Sequence, residues 1–206
     1  MDAELTDAEY QQTYHDAIAQ RGTSSKDQME TAVYPLFLAI EQQGDYIYSP
    51  RQLTMQTISS AKARELNALW HSVLPRIQTM VSLCFGFQAD GQWYAVALWS
   101  KPAARLLPQA TWLELRRFAI SPRAPKNTAS WCLSRMESFI RIQCPQIERL
   151  ISYQATDVHR GTIYKAANWH QGMVKPRARS WVMPNRARQE SQNTSPKIRW
   201  ERDLTS

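Results

Sequence analysis

The sequence predicts an α/β protein in which helices cover both faces of one mixed β-sheet. β-rich and helical patterns alternate along residues 52–168, which is typical of such a sheet. Two apolar runs flank Asp90 and Gly91, the signature of a tight hairpin turn, so part of the sheet is antiparallel. The 206 residues, of which 43% are hydrophobic, are enough for one well-buried core plus an extension.

The N-terminal residues 1–48 predict an acidic helical extension. Apolar positions recur at helical spacing in residues 7–20 and 27–43, and Pro35 kinks or delays the second helix. The segment contains 9 acidic and 2 basic side chains, a net charge of −7. Two roles stay open: it pads the core as a helical hairpin, or it folds back on a basic surface as a regulator.

A domain of catalytic size over residues 49–175 begins with a strand and a helix. Residues 52–59 alternate in polarity as a strand does. The next stretch, "SAKARELNALWHSVLPRI", is an amphipathic helix that breaks at Pro75, with His71 near its C-terminal end. The hairpin "MVSLCFGFQADGQWYAVALWS" follows.

The second half of this domain continues as strand, helix, strand and helix. Strands are predicted over residues 111–120 and 147–154, and a helix over 128–143 is stopped by Pro145. "VHRGTIYKAAN" predicts a short final helix.

The C-terminal segment, residues 176–206, is basic. "RSWVM" and "PKIRWERDL" predict closing strands, whereas "NRARQESQNTSP" is typical of a flexible loop or tail. The chain after residue 48 contains 23 basic and 9 acidic side chains, a net charge of +14. Such a surplus favours a polyanionic partner, most simply nucleic acid.

Composition also argues against several classes of protein. No apolar run approaches the roughly 20 residues that span a bilayer, and the acidic N-terminus lacks the regions of an export signal. We therefore expect a cytoplasmic protein with no membrane partner. Cys84, Cys132 and Cys144 have no CxxC spacing and are expected to be buried thiols. The four histidines show no ligand spacing, so no metal site is predicted.

Two stretches resemble the GNAT acyltransferases. In that superfamily a strand leads into a loop and a helix N-terminus that grips the coenzyme A pyrophosphate, and "LELRRFAISPRAPKNTASW" is similar. "IYKAANW" resembles their Tyr-Glu-Lys-x-Gly-Phe helix end, with Tyr164 as the tyrosine, Asn168 for the glycine and Trp169 for the phenylalanine. Asparagine is the next-best residue after glycine for a left-handed helix end.

Together with "LWHSVLP" and "YQATDVHRGTIYKAANW", these stretches resemble the Mom family of phage DNA-modification proteins over residues 50–175. The resemblance implies conversion of adenine to N6-carbamoylmethyladenine in double-stranded DNA, which protects phage DNA from host restriction. It also implies an acyl donor, either acetyl-CoA or an aminoacyl donor. The loop "SPRAPKNTAS" lacks the glycines of the GNAT pattern, which argues against ordinary acetyl-CoA binding. A homodimer stays open.

Three residues are catalytic candidates. His71 is predicted to be a general base because imidazole titrates near neutral pH. Tyr164 is, by analogy with GNAT enzymes, the general acid for the departing donor group, and Asp157 orients His71 or accepts from the adenine amino group. Each has a simpler reading: a helix-end histidine, a tethered core tyrosine and an N-cap aspartate.

A phosphate is predicted to bind where the strand meets the helix N-terminus. Three sources of that phosphate stay open: a coenzyme A pyrophosphate, an aminoacyl-tRNA end and the DNA backbone itself. Arg116 and Arg117 are expected to project to opposite faces of this strand, where one meets an anion or a carboxylate such as Glu114. The remaining donor-site candidates are Arg123, Lys126, Asn127, Thr128 and Ser130. The hydroxyls of Thr128 and Ser130 equally suit simple helix capping.

DNA contacts are expected in the C-terminal segment, where basic side chains alternate with aromatic ones. The DNA-binding candidates are Arg177, Arg179, Arg186, Arg188, Lys197 and Arg199. No helix-turn-helix or zinc finger is evident, so phosphate contacts should dominate. Because N6 lies in a base pair, we expect the adenine to be flipped and stacked on an aromatic ring. The candidate rings are Trp70, Trp99, Trp112, Trp131 and Trp169.

Two other functions stay open. An ordinary GNAT acetyltransferase acting on a protein or a small amine would bind acetyl-CoA tightly. A non-catalytic basic DNA-binding protein would need neither Tyr164 nor His71.

Overall fold

A computed structural model describes residues 47–71, 81–176 and 195–205 of the chain. Its strands and helices are, in chain order, β1 Thr54–Thr57, α1 Ser60–Trp70, β2 Leu83–Ala89, β3 Gln92–Ser100, β4 Trp112–Ile120, α2 Thr128–Gln143, β5 Arg149–Ala155, α3 Thr162–Ala166, β6 His170–Lys175 and β7 Lys197–Asp203. One 3-10 turn, Pro50–Gln52, precedes β1. The predicted helices 7–20 and 27–43 and the strand "RSWVM" lie outside the described residues.

The seven strands form one mixed sheet in the order β1-β2-β3-β4-β5-β7-β6. Strands β4 and β5 are parallel and are joined through α2, whereas the other neighbouring strands are antiparallel. This arrangement confirms the predicted mixed α/β class. None of the helices in the described parts of the chain has the length and apolar character that crossing a bilayer requires.

Helices α1 and α2 pack on opposite faces of the sheet, here called the α1 face and the α2 face. Trp99, Met136 and Leu150 belong to the larger apolar cluster, on the α2 face. Leu66 and Leu98 belong to the smaller cluster, on the α1 face. Burying one such side chain stabilises the fold by about 1.5–3 kcal/mol.

The predicted hairpin between β2 and β3 is confirmed. Asp90 and Gly91 form its two-residue turn, with φ angles of 49° and 78°. A type I′ turn requires positive φ at both central residues, and its twist matches that of the flanking strands.

The observed bounds agree with the prediction for α2 and differ from it for α3. Helix α2 spans the predicted residues, whereas α3 has only five residues, fewer than the stretch 158–168 suggested. Gly161 and Asn168, with φ angles of 70° and 58°, bound α3 because a left-handed residue cannot continue a right-handed helix. The predicted break of α1 at Pro75 lies outside the described residues.

The end of the chain is built into the sheet. Strand β7 lies between β5 and β6, so "PKIRWERDL" forms an interior strand and not a tail. Strand β6 was not predicted, because it is a largely exposed edge strand without apolar alternation. Ile47, assigned from sequence to the extension, is buried in the core of the unit that Ile47–Ser206 form.

Candidate active site at the opening between two parallel strands

The sheet opens between β4 and β5. The two strands pair only from Trp112 opposite Arg149 to Leu115 opposite Ser152. Strand β4 continues to Ile120 alongside β3, and β5 continues alongside β7. The carboxyl halves of the two parallel strands are therefore unpaired with each other, which is where α/β sheets commonly bind ligands.

Tyr164 of α3 reaches the apex of this opening from the α2 face. Its hydroxyl lies 2.9 Å from the hydroxyl of Ser152, the last paired residue of β5. The Ser152 hydroxyl is also 3.3 Å from the Leu115 carbonyl oxygen. Burial raises the pKa of Tyr164, although the hydrogen bond with Ser152 opposes that shift. The phenol is therefore protonated at neutral pH and able to donate a proton.

An aromatic stack fixes the orientation of Tyr164. The ring of Trp200 from β7 lies 5.4 Å from the Tyr164 ring at an angle of 15°, and Trp169 lies 5.7 Å away. The Trp200 indole donates a 2.7 Å hydrogen bond to Gln154, whose amide donates to the His159 carbonyl. The Tyr164 hydroxyl is thus held by side chains of β5 and β7 as well as by α3.

His71 approaches the opposite face of the sheet. It caps the C-terminus of α1 and donates its backbone N–H to Asn67 at 2.9 Å. Burial lowers the pKa of His71 to about 4, and electrostatic interactions with Arg117 and His159 act in the same direction. The imidazole is therefore neutral at physiological pH, the form that can accept a proton.

The predicted opposite orientation of Arg116 and Arg117 is wrong. Leu98 of β3 is opposite Arg117 and Trp99 is opposite Leu115, so Arg116 is one extra residue in β4, a β-bulge. Arg117 shares the α1 face with Leu98. Arg116 also turns to that face, where its guanidinium forms a 2.9 Å ion pair with Glu114.

The second predicted donor region is the loop before α2. Asn127 supplies a left-handed residue with a φ of 66° in a loop that has no glycine. The Thr128 hydroxyl donates to Pro125 and the Ser130 hydroxyl donates to Asn127, so both serve the loop and helix start in this structure. Lys126 is exposed beside them.

The backbone at this helix start still offers donors. The N–H groups of Thr128 and Trp131 donate to Pro125 and Asn127. Within the described residues, no backbone oxygen accepts from the intervening N–H groups of Ala129 and Ser130. The half-buried Arg123 lies in the same loop, and its backbone N–H donates to the Ser121 hydroxyl.

Asp157 is tied to the far end of the chain. Its carboxylate accepts a hydrogen bond from the Ser195 hydroxyl, and the neighbouring Thr156 donates to Pro196. These contacts join the loop after β5 to the start of β7. The hydrogen bond of Asp157 therefore anchors this loop.

The predicted DNA-binding residues divide into two groups. Arg177, Arg179, Arg186 and Arg188 lie outside the described residues. Lys197 lies in β7, directly opposite Lys175 of β6. In the sequence, the four arginines lie between these two strands. Arg199 forms a 2.7 Å ion pair with Glu201 and lies over the Trp112 ring.

Most of the candidate stacking rings are occupied. Trp70, Trp99 and Trp169 are buried in the core. Trp112 is covered by the guanidinium groups of Arg149 and Arg199. Trp131 contacts Phe87 and lies under Arg135. Each of the five candidate rings is therefore already packed in the core or against another side chain.

The described residues contain buried thiols and no grouped metal ligands. Cys84 and Cys132 are buried as predicted, and burial raises the pKa of both thiols, whereas Cys144 is half-buried. Within residues 47–71, 81–176 and 195–205, His, Cys, Asp and Glu side chains form no cluster of three or more suited to a metal ion.

Sequence reasoning missed the residues that position the candidates. Ser152 and Gln154 lie in a strand predicted only as a packing element, and Trp200 lies in a segment predicted to contact DNA. Lys175 lies in the strand that was not predicted. A serine and a glutamine within the apolar strand "RLISYQA" were the available signal, because buried polar side chains need partners.

The fold is that of the GNAT acetyltransferases. Similar solved structures include spermidine N-acetyltransferase from Vibrio cholerae in complex with CoA and spermine, with a TM-score of 0.53 and 9% identity over 75% of this chain and 97% of that chain. An N-acetyltransferase from Staphylococcus aureus Mu50 has a TM-score of 0.51 and 10% identity over 75% and 99% of the two chains. The ribosomal-protein-S18-alanine N-acetyltransferase from Escherichia coli has a TM-score of 0.50 and 10% identity over 75% and 95%.

Sequence comparison identifies the family. No curated protein matches the chain. Residues 52–201, which include the opening, all three catalytic candidates and most of β7, match the sequence model of the Mom protein family. The chain therefore belongs to the Mom protein family.

Proposed function

We propose that this protein transfers a small carbon group from an activated donor to the N6 amino group of adenine in double-stranded DNA. The product would be N6-carbamoylmethyladenine, the modification that the family resemblance implies, made in the cytoplasm of a bacterial host to protect phage DNA from restriction. The observation that carries the proposal is the Tyr164 hydroxyl, held at the apex of the opening between β4 and β5.

The reaction needs one proton acceptor and one proton donor. Adenine N6 is a weak nucleophile, and it loses a proton as it forms a bond to the donor carbon. His71 is neutral and accepts this proton, which becomes acidic as positive charge develops on N6. The bond between that carbon and its carrier breaks, and the carrier takes a proton from Tyr164. The acceptor base and the donor would approach from opposite faces of the sheet.

The loop and the start of α2 fit an anionic carrier. The N–H groups of Ala129 and Ser130 lack backbone acceptors among the described residues, and the helix dipole favours a negative charge there. Exposed Lys126 adds a full positive charge. These groups would hold the phosphate of an acyl carrier, either coenzyme A or the terminus of an aminoacyl donor. Attack of N6 on the carbonyl carbon of a carried glycyl group would form N6-glycyladenine and release the carrier. An internal rearrangement that moves the N6 bond to the methylene carbon and the amino group to the carbonyl carbon would convert this product to its isomer, N6-carbamoylmethyladenine.

The experiment that tests this function weighs nucleosides from DNA of bacteria that express the protein. We expect a deoxyadenosine heavier by a carbamoylmethyl group with the wild type. Tyr164→Phe should lower its yield by a factor of about 10²–10⁴, the usual contribution of a general acid. Tyr94→Phe is the matched control, because it removes a hydroxyl from another buried core tyrosine, on a strand that does not border the opening.

The outcomes separate the competing functions. Full modification by folded Tyr164→Phe would remove this residue from the mechanism. Unmodified DNA with folded wild type would argue against adenine as the acceptor. A calorimetric titration with acetyl-CoA then tests the ordinary acetyltransferase, which the fold of the CoA-bound Vibrio cholerae enzyme favours. A non-catalytic DNA-binding protein would modify no base and would keep its DNA affinity without Tyr164 and His71.

A further inference from the structure

The α1 face carries a group of positive side chains beside the opening. Arg117 is on this face because it lies opposite Leu98 in the register. Ile198 packs into the cluster on the α2 face, so its strand neighbour Lys197 points to the α1 face. Lys175 lies directly opposite Lys197, and its Nζ is 4.6 Å from the centre of the Tyr153 ring.

Other cations of this face are neutralised by carboxylates. Arg116 pairs with Glu114, and Arg149 and Arg199 pair with Glu201. By contrast, Arg117, Lys175 and Lys197 form no ion pair with any carboxylate in the part of the chain that the structure describes. We call these three residues the acceptor-side cation cluster.

The cluster is electrostatically unfavourable without an anion. Like charges directly opposite each other on neighbouring strands are destabilising, and Lys175 and Lys197 are such a pair. Burial lowers the pKa of Lys197, and the charges of Arg117 and Arg116 lower it further. The Nε atoms of both arginines are also buried and have no hydrogen-bond partner among the described residues. Unsatisfied donors and crowded cations are what a bound anion would relieve.

The position of the cluster indicates which anion it binds. It lies on the same face as His71, the proposed acceptor of the N6 proton, and Arg117 is close enough to lower the pKa of that histidine. The proposed donor site lies at the start of α2, on the opposite face. Arg117 was assigned from sequence to the donor phosphate, but its orientation puts it on the side of the base that is modified.

We propose that Arg117, Lys175 and Lys197 bind backbone phosphates of the DNA strand that carries the target adenine. This inference rests on the proposed function and names the surface that its DNA substrate occupies. Phosphate contacts position a nucleic acid without reading its sequence. The cluster would hold the strand beside the opening while the base enters it.

The test measures how DNA affinity depends on salt. We would titrate a fluorescently labelled duplex with the wild type and with Lys175→Gln/Lys197→Gln, and record anisotropy over a range of sodium chloride concentrations. Each phosphate contact contributes about 0.9 to the slope of log K against log salt for B-DNA. The slope should therefore fall by about 2 in the double variant. Arg117 is left intact because it also acts on His71.

A matched control separates this effect from net charge. Lys101→Gln/Lys165→Gln removes two exposed lysines outside the cluster, and its slope should equal that of the wild type. Thermal unfolding checks that both variants are folded, and neutralising the opposed lysines should not lower stability. Equal slopes in the two double variants would overturn this inference and leave the proposed function standing. A wild type that binds no duplex DNA at all would overturn both.

Discussion

At the scale of single residues, the candidate chemistry rests on two side chains whose surroundings shift their pKa values in opposite directions. Burial raises the pKa of Tyr164 and lowers that of His71, so each group is uncharged at neutral pH. The neutral Tyr164 phenol can then donate a proton, and the neutral His71 imidazole can accept one. Environments that separate two pKa values in this way are typical of acid and base pairs in enzymes.

The pH behaviour of His71 gives the first residue-scale prediction. Its imidazole should titrate near pH 4 in an NMR experiment, far below the ordinary value of 6.5. Arg117→Gln removes the positive charge that acts in the same direction as burial. The pKa should then rise but stay below 6.5, because burial is the larger cause. A wild-type value near 6.5 would contradict the buried environment.

The same shift makes a contribution to stability that depends on pH. The unfolded chain binds a proton at His71 more tightly than the folded chain does. The contribution is therefore fully present above about pH 6.5 and is lost as the pH falls towards about 4. Denaturant titrations at several pH values should show a smaller loss for His71→Gln than for the wild type over that interval.

At the scale of elements, the placement of Tyr164 depends on how α3 begins. Gly161 precedes the helix with a φ of 70° and fits closely against Gln154 and Trp200. An added Cβ would overlap the Gln154 Oε1 atom and the Trp200 ring, the two groups that hold the aromatic stack. The start of α3 is therefore packed directly against the residues that hold the aromatic stack.

We expect Gly161→Ala to lower both stability and modification. The left-handed backbone costs about 1–2 kcal/mol for a residue with a Cβ, and the overlap adds about 1–3 kcal/mol. Gly91→Ala is the control, because Gly91 has a φ of 78° but nothing within 4 Å of an added Cβ. It should show only the backbone cost in denaturant unfolding and should retain DNA modification. Equal losses of unfolding free energy in the two variants would mean that Gln154 and Trp200 shift to accept the added methyl group at no energetic cost.

At the scale of the whole molecule, one buried carboxylate joins α2 to the last strand. The Glu137 carboxylate accepts from Arg202 of β7 at 2.9 Å and from Arg141 of its own helix at 3.0 Å. Arg202 also donates to the Asn168 carbonyl at 3.1 Å, beyond the end of α3. The contact therefore links residues 65 positions apart in the chain.

Glu137→Gln should lower the free energy of unfolding by about 1.5–3 kcal/mol, the usual value of a hydrogen bond to a charged group. Arg141→Gln breaks only the contact within the helix, and it should cost about 0.5 kcal/mol or less. Chemical denaturation of the two variants measures the difference. A larger loss for Arg141→Gln would mean that the link to β7 contributes little.

The elements with strong local signals were predictable. The Asp90-Gly91 pair between two apolar runs favours a two-residue hairpin turn. Helix α2 has clear apolar periodicity between a loop and a proline. Asn168, proposed as a left-handed helix end in place of glycine, has a φ of 58°. Strand β6 and the bulge at Arg116 were not predictable, because both depend on neighbouring strands that are distant in the chain.

The fold class, the family and the identity of Tyr164 and His71 as candidates follow from the amino-acid sequence alone, because motifs and periodicity are local properties. The face of the sheet from which each of the two residues approaches depends on the tertiary structure. The pairing of β4 with β5 ends at Ser152, and this places the Tyr164 hydroxyl at an opening. The bulge turns Arg116 and Arg117 to one face, since one extra residue reverses the alternation of a strand.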